Sequence, residues 1–271
     1  MDKIIINDLS CFNIRQILDC GQIFRYHQQD ENTWIVYSLD KKAIVKEFPD
    51  RVEIECEDKD YFINYFDLNT DYNIIKEGLK DKPLMKESIE YGYGIRILKQ
   101  DKWEMLISFI VSANNHIPRI KSIIERICDR LGKDMGDYHA FPTPQAMASV
   151  DQAFYKELGA GYRDKYLIET AKAVAGGFDL EEISNMNAEQ ANKRLCTLMG
   201  VGPKVADCIL LFGYHKQDVF PVDTWVKKIY KDVTGKQEEN NKKIRNDLLN
   251  IYGENAGYAQ QYLFFNKRDN S

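Results

Sequence analysis

Residues 198–212 read Leu198-Met199-Gly200-Val201-Gly202-Pro203-Lys204-Val205-Ala206-Asp207-Cys208-Ile209-Leu210-Leu211-Phe212, and this stretch governs how the rest of the chain is read. Gly200 and Gly202 lack a Cβ, so the turn between them can be tight and another molecule can come close to its backbone. Pro203 suits the first position of a following helix, where its missing N–H costs nothing. The apolar run then closes at Gly213, and residues 188–198 before the turn have helical spacing. The reading is therefore a helix, a tight hairpin and a second helix over about residues 188–213. The start of the second helix presents unpaired N–H groups and partial positive charge, a ready site for a phosphate oxygen beside Gly200 and Gly202.

Lys204 falls in the first turn of that second helix, at the positive end of the dipole, where stability rules would not place a lysine. Local disagreement with such rules is expected at functional sites, although a solvent-pointing lysine is the plain alternative. The positive helix end and partial burial would both favour the neutral, nucleophilic amine. Nineteen residues on comes Phe220-Pro221-Val222-Asp223-Thr224-Trp225, where Asp223 can cap a helix over residues 224–233. A capping carboxylate is also fixed in place, as a site generating a cation beside it would require.

Outward from the hairpin, residues 22–27, 33–39, 42–48 and 51–56 are short, β-branched or aromatic runs separated by polar turns, which predicts an antiparallel meander. From about Tyr61 the spacing becomes helical, with helices expected at 103–113, 118–131 and 166–175. Strands followed by helices predict an α+β fold: a sheet domain over residues 1–98 and a helical domain over 99–271. The composition fits a globular chain, with 271 residues, 44% hydrophobic, 29% charged and a mean hydropathy of -0.47. Apolar stretches such as residues 107–113 fall far short of the roughly 20 needed to cross a bilayer, so no membrane partner is expected.

The start, Met1-Asp2-Lys3-Ile4-Ile5-Ile6-Asn7-Asp8, lacks the features of a signal peptide, so an intracellular location is expected. Six cysteines without C-x2-C spacing argue against a zinc site or a disulfide framework, leaving thiols and no metal. The net charge of -5 counts at face value against a nucleic-acid partner. Its distribution changes that: residues 1–100 hold 14 Lys+Arg against 19 Asp+Glu, residues 101–190 hold 10 against 14, and residues 191–271 hold 13 against 9. The basic surplus lies where the hairpin, Lys204 and Asp223 lie, although a solvated lysine-rich helix face would give the same count.

Taken together, the Leu-x-Gly-Val-Gly-x-Lys hairpin of Leu198 to Lys204 and the pair Val222-Asp223 resemble the helix-hairpin-helix DNA glycosylase superfamily, and within it the 8-oxoguanine DNA glycosylase/AP lyase family. The likeness extends over nearly the whole chain. Cys20-Gly21-Gln22-Ile23-Phe24-Arg25 resembles the family's Gly-Gln-x-Phe-Arg segment, and Ser112-Ala113-Asn114-Asn115-His116-Ile117-Pro118-Arg119 its opposite-base loop. Gly161-Tyr162-Arg163 resembles its second DNA-facing loop, and residues 256–264 its C-terminal recognition helix. No cysteine follows Cys208, so the iron–sulfur relatives are disfavoured.

The resemblance implies an enzyme that flips 8-oxoguanine out of duplex DNA, opposite cytosine, and acts as a monomer located with the DNA. That means cytoplasm or nucleoid in a bacterial or archaeal cell and nucleus in a eukaryotic one. Lys204 and Asp223 would be catalytic. Gly21, Cys208, Gln260 and Phe264 would hold the flipped base, with Cys208 and Phe264 sandwiching it and the Gly21 carbonyl accepting from N7–H. Asn114, Arg119, Tyr162 and Arg163 would fill the gap and read the partner base, and no cofactor is called for. Trp225 departs from the His often found two residues after the aspartate. Two other readings stay open: a glycosylase for another damaged purine, and a noncatalytic helix-hairpin-helix DNA-binding protein.

Overall fold

The computed structural model describes residues 1–270. In chain order its elements are β1 (Asp2–Ile6), α1 (Ile14–Asp19), β2 (Tyr26–Asp30), β3 (Thr33–Ser38), β4 (Lys41–Glu47), β5 (Val52–Cys56), α2 (Lys59–Tyr65), α3 (Tyr72–Leu79) and α4 (Met85–Tyr91). There follow α5 (Lys102–Ser112), α6 (Ile117–Leu131), α7 (Pro144–Ala148), α8 (Gln152–Glu157), α9 (Asp164–Ala175), α10 (Ala188–Leu195), α11 (Pro203–Gly213), α12 (Thr224–Thr234), α13 (Asn241–Tyr252) and α14 (Ala256–Asp269). The fold is α+β, with an N-terminal antiparallel sheet in the order β1-β5-β4-β3-β2 and a helical remainder. In β1 and β5 the register pairs Ile4 with Ile54, and in β2 and β3 it pairs Tyr26 with Val36.

Short polar side chains start many of the helices. Asn13, Asp58, Asp71, Asp101, Asp151, Asn187, Asp223 and Asn240 each accept a backbone N–H two or three residues on, satisfying donors that the helix cannot. Pro118 lies in the first turn of α6 and Pro203 opens α11, as read from the sequence.

The chain forms two compact units, each built from separate stretches of sequence. One comprises Met1–Ile23, Val45–Lys99 and the chain from His215 onward; the other comprises Phe24–Ile44 and Gln100–Tyr214. The sequence spacing placed a boundary at 98/99, close to one of these junctions, but it gave no sign of the exchange at 24–44.

In the first unit α14 is the central helix. Every residue from Ala256 to Leu263 is buried, so it has no solvated stripe, and it packs against α4, α12 and α13. Tyr258 meets Tyr72 edge to face with ring centres 5.5 Å apart. Arg96 is buried in the same unit and donates to the carbonyls of Cys11 (3.0 Å), Phe66 (3.2 Å), Asp67 (2.6 Å) and Thr70 (2.7 Å). In the second unit the corresponding helix is α5, buried from Trp103 to Val111 and packed on α11, with Phe109 and Phe212 stacked at 5.5 Å.

Two elements were not anticipated, β1 and α1. The strand expected at 22–27 instead starts at Tyr26, because the Gln22 side chain is taken up by backbone. Its Nε2 donates to Ile17 O (2.9 Å) and Arg96 O (2.8 Å), and its Oε1 accepts from Leu98 N (2.8 Å). Those three bonds fix the turn at Gly21, where φ is +84°, before the chain can extend.

Candidate active site

The hairpin forms as read. Gly200 has φ +84°, in the left-handed region, and a Cβ there would lie 2.7 Å from the Cβ and Cγ of Tyr166. Gly202 is different: it is exposed, has φ -92°, and a Cβ there would meet nothing within 4 Å. The packing thus explains one glycine and leaves the other facing open space at the N-terminus of α11. Lys204 lies half-buried in the first turn of that helix, and Cys208, one turn on, is buried. Asn192 of α10 clasps the same turn, donating from Nδ2 to Pro203 O (3.0 Å) and to the buried Asp207 carboxylate (2.7 Å).

The same unit gathers the residues expected to read the partner base. α5 is capped by Ala113, and Asn114 follows with φ +50°, which turns the carbonyls of Ala113 and Asn114 out of the helix pattern. Arg163 supplies the missing donors: Nε to Ala113 O (3.0 Å), Nη2 to Asn114 O (2.9 Å) and Nη1 to Ala160 O (3.4 Å). A guanidinium at a helix C-terminus is also favoured by the dipole. Tyr162 is 53% exposed and donates from its hydroxyl to Ala113 O (3.1 Å), and the Arg163 guanidinium lies 4.3 Å from its ring centre. Arg119 is exposed and donates to Gly159 O (3.2 Å). Asn114, Arg119 at the start of α6, and Tyr162 therefore face solvent, while Arg163 is only 2% exposed and turned inward to hold the Asn114 turn.

At the other end of α5 lies a buried ion pair. The Arg25 guanidinium lies 3.6 Å from Glu104 and donates to Leu39 O (3.2 Å) and His139 O (2.7 Å), while Glu104 accepts from Leu39 N (2.8 Å). Burial raises the Glu104 carboxyl above its ordinary range, opposed by Arg25 and the Leu39 N–H.

The other unit holds a second group. Gln260 and Phe264 share one face of α14 by their four-residue spacing. A Cβ at Gly21 would lie 3.5 Å from Phe264 Cε1, so the Gly21 turn and the Phe264 ring are neighbours. Gln260 is 6% exposed and its Oε1 is buried with no hydrogen-bond partner, an arrangement that costs about 1–3 kcal/mol unless a ligand satisfies it. Cys20, beside Gly21, has its thiol pushed up to about 12 by burial and stays protonated. Asp223 caps α12, its Oδ1 accepting from Trp225 N and Val226 N, both at 2.9 Å. Trp225 is half-buried with Lys228 Nζ 4.2 Å from its ring centre.

Sequence reasoning missed the structural parts of these groups. Asn192, Gln261 and Arg268 hold groups of residues that neighbour the candidates (Pro203 and Asp207, Cys20, and Asp19), and Gln22 holds Ile17, Arg96 and Leu98 beside the Gly21 turn. A polar side chain inside an apolar run, as at Gln22 and Gln261, was the one available sign.

A chain with an N-terminal antiparallel sheet, a helical body and a helix-hairpin-helix carrying a lysine in the first turn of its second helix defines the helix-hairpin-helix class. Residues 4–106 match the 8-oxoguanine DNA glycosylase N-terminal domain, and residues 107–254 match the HhH-GPD superfamily base excision DNA repair protein model. The chain is 30% identical to the N-glycosylase/DNA lyase of Saccharomyces cerevisiae over 93% of this chain and 82% of that protein. With a probable N-glycosylase/DNA lyase of Methanothermobacter thermautotrophicus the identity is 33%, over 75% and 72%. Among solved structures, the 8-oxoguanine glycosylase/lyase of Clostridium acetobutylicum, in complex with double-stranded DNA containing cytosine opposite 8-oxoguanine, superposes with a TM-score of 0.93. It is 40% identical, with 99% of this chain and 96% of that one covered. The chain belongs to the 8-oxoguanine DNA glycosylase/AP lyase family of helix-hairpin-helix base excision repair proteins.

Proposed function

We propose that the protein is a bifunctional glycosylase/AP lyase that flips 8-oxoguanine out of duplex DNA opposite cytosine, excises it and cuts the strand on the 3′ side. The observation that carries the reading is Lys204 itself, half-buried in the first turn of α11 behind a glycine hairpin in a chain of this family. Its amine attacks C1′ as the bond to N9 breaks, and the base leaves with the electron pair and gains a proton. The sugar ring then opens to a Schiff base on Lys204 Nζ; loss of a C2′ proton expels the 3′ phosphate by β-elimination. Asp223, held by two backbone N–H groups, stabilises the cationic sugar and takes part in activating the amine.

Cys208 and Phe264 sandwich the flipped base, and Gln260, whose Oε1 is unpartnered, bonds its Watson–Crick edge. Selection rests on N7, an acceptor in guanine and a donor once C8 carries a carbonyl. An acceptor at the Gly21 carbonyl left facing the guanine N7 lone pair costs about 1–3 kcal/mol, or roughly tenfold to a hundredfold against normal guanine. Asn114, Arg119, Tyr162 and Arg163 meet the partner base and the gap, Arg163 also holding the Asn114 turn, and Gly200 and Gly202 bring the hairpin to a phosphate. In sequence order the sheet-bearing part is residues 1–98 and the glycosylase part 99–271, although the compact units interleave these stretches, in a monomer located with the DNA: cytoplasm or nucleoid in a bacterial or archaeal cell, nucleus in a eukaryotic one. A purely DNA-binding hairpin needs neither Lys204 nor Asp223, which favours the enzyme.

The test is borohydride trapping on duplexes with 8-oxoguanine opposite each base. A covalent adduct is expected, strongest opposite cytosine, and absent in Lys204→Gln. No adduct with the intact protein, or an adduct that persists in Lys204→Gln, refutes the mechanism.

A further inference from the structure

Three consecutive carbonyls at the end of α1 meet different fates. The Asp19 carbonyl accepts from Arg268 Nη1 at 2.8 Å, and the Cys20 carbonyl accepts from Gln261 Nε2 at 2.6 Å. The Gly21 carbonyl accepts from no group among the described residues. Both donors come from α14, the helix that also carries Gln260 and Phe264.

Gln261 is 2% exposed, so its amide has no alternative partner in water. Arg268 lies over the same turn: its Nη1 would be 3.8 Å from a Cβ at Gly21, and its guanidinium carbon is 5.8 Å from the centre of the Phe264 ring and 5.3 Å from that of Phe265. Gly21 has φ +84° and no side chain, so its peptide plane is free to rotate unless its neighbours are held. On one side it is held by Gln22, whose amide spans Ile17 O, Arg96 O and Leu98 N. On the other side the Arg268 and Gln261 bonds hold the two carbonyls that precede it.

We propose that Gln261 and Arg268 are positioning residues that clamp the Asp19 and Cys20 carbonyls and thereby aim the Gly21 carbonyl, setting selectivity for a base with an N–H at its five-membered ring over one with a lone pair there. The proposal rests on the reading of Gly21 as the N7 acceptor. It accounts for a buried glutamine beside the base-reading Gln260: one amide faces the ligand and the next fixes the backbone that faces the ligand. Neither side chain touches substrate, and neither takes part once the base has gone.

The test compares base release from 8-oxoguanine·cytosine and guanine·cytosine duplexes, together with strand cleavage at a preformed abasic site, for the full chain and for Gln261→Met, Arg268→Met and Arg268→Lys. Gln261→Met is expected to lower the 8-oxoguanine-to-guanine ratio about tenfold, the scale of one buried hydrogen bond to an acceptor. Arg268→Met is expected to lower it less, since that site is more open, and Arg268→Lys to restore part of the ratio. Abasic-site cleavage is expected to stay within about twofold, because no base is read there. An unchanged ratio in both methionine variants overturns the proposal, and so does a parallel loss of base release and abasic cleavage, which would assign the two side chains to general support of the fold. If the unaltered protein cleaves abasic sites but releases no 8-oxoguanine, the substrate reading fails first, a result separable from either.

Discussion

The two hairpin glycines can be separated by substitution, because they are glycine for different reasons. Gly200→Ala must put a Cβ on a residue with φ +84° and within 2.7 Å of Tyr166 Cβ and Cγ. Left-handed backbone costs an L-residue about 1–2 kcal/mol. The overlap adds about 1–3 kcal/mol, and rotation of the Tyr166 ring does not relieve it, because Tyr166 Cβ is fixed to the α9 backbone. The sum, about 2–5 kcal/mol, corresponds at about 2 °C per kcal/mol to a Tm lower by roughly 4–10 °C in a chain of this length. Gly202→Asp behaves in the opposite way. Its φ of -92° suits any residue, it has open space, and an aspartate there caps α11 and complements its dipole, worth about 0.5–1 kcal/mol. Its carboxylate would, however, repel the phosphate proposed to lie there. Calorimetry and DNA binding at fixed salt should therefore show one variant with a lower Tm and the other with an unchanged or higher Tm and weaker binding. A Gly202→Asp protein that binds DNA as tightly as its parent would remove the phosphate role from the hairpin, and equal Tm values for the two variants would refute the steric argument.

Arg25→Met leaves Glu104 buried with the Leu39 N–H as its remaining contact described above, which should cost about 3–5 kcal/mol in urea unfolding. The double variant with Glu104→Gln should recover part of that loss, and a single-variant cost below about 1 kcal/mol would contradict the ion-pair account. For His215, burial lowers the pKa from 6.5 to about 4, against the opposing pull of Asp67 with Oδ2 3.6 Å from Nε2. A depressed histidine keeps its stabilising contribution above its unfolded pKa and loses it as pH falls from about 6.5 towards about 4, so roughly 2 kcal/mol is lost by pH 5. His215→Asn, which tolerates the φ of +53° at this position, should unfold with a flatter pH dependence over that window; equal slopes would exclude His215 as the cause.

What the sequence revealed was local. The hairpin, its two glycines, Pro203 and the end of α11 at Gly213 are all set by residues within one turn of each other, and they fold as read. Asp223 capping α12 is equally local. The strand expected at 22–27 failed because Gln22 is claimed by Arg96 and Leu98, some 75 positions away, and no spacing rule contains that distance. β1 went unread because only Ile4 of its three isoleucines is buried, so the apolar run carries no alternation. The bonds of Arg163 to the Ala113 and Asn114 carbonyls were not legible, because nothing in the spacing shows that the Asn114 turn, some 50 positions away, needs donors for two carbonyls. Gln260 and Phe264 were legible only by family likeness, since a buried glutamine and a phenylalanine on one helix face are otherwise ordinary core residues.

The division of the chain has a consequence for its synthesis. The first unit needs Met1–Ile23, Val45–Lys99 and the chain from His215 onward, so α14, its central helix, leaves the ribosome after the whole second unit. Until then α4 lacks the helix it packs against, and the Asp19 and Cys20 carbonyls lack their donors from α14, so these early groups must wait while the whole second unit is made. A cut at the boundary suggested by the sequence, between residues 98 and 99, would therefore not release a self-sufficient sheet domain. It would separate that domain from its own core.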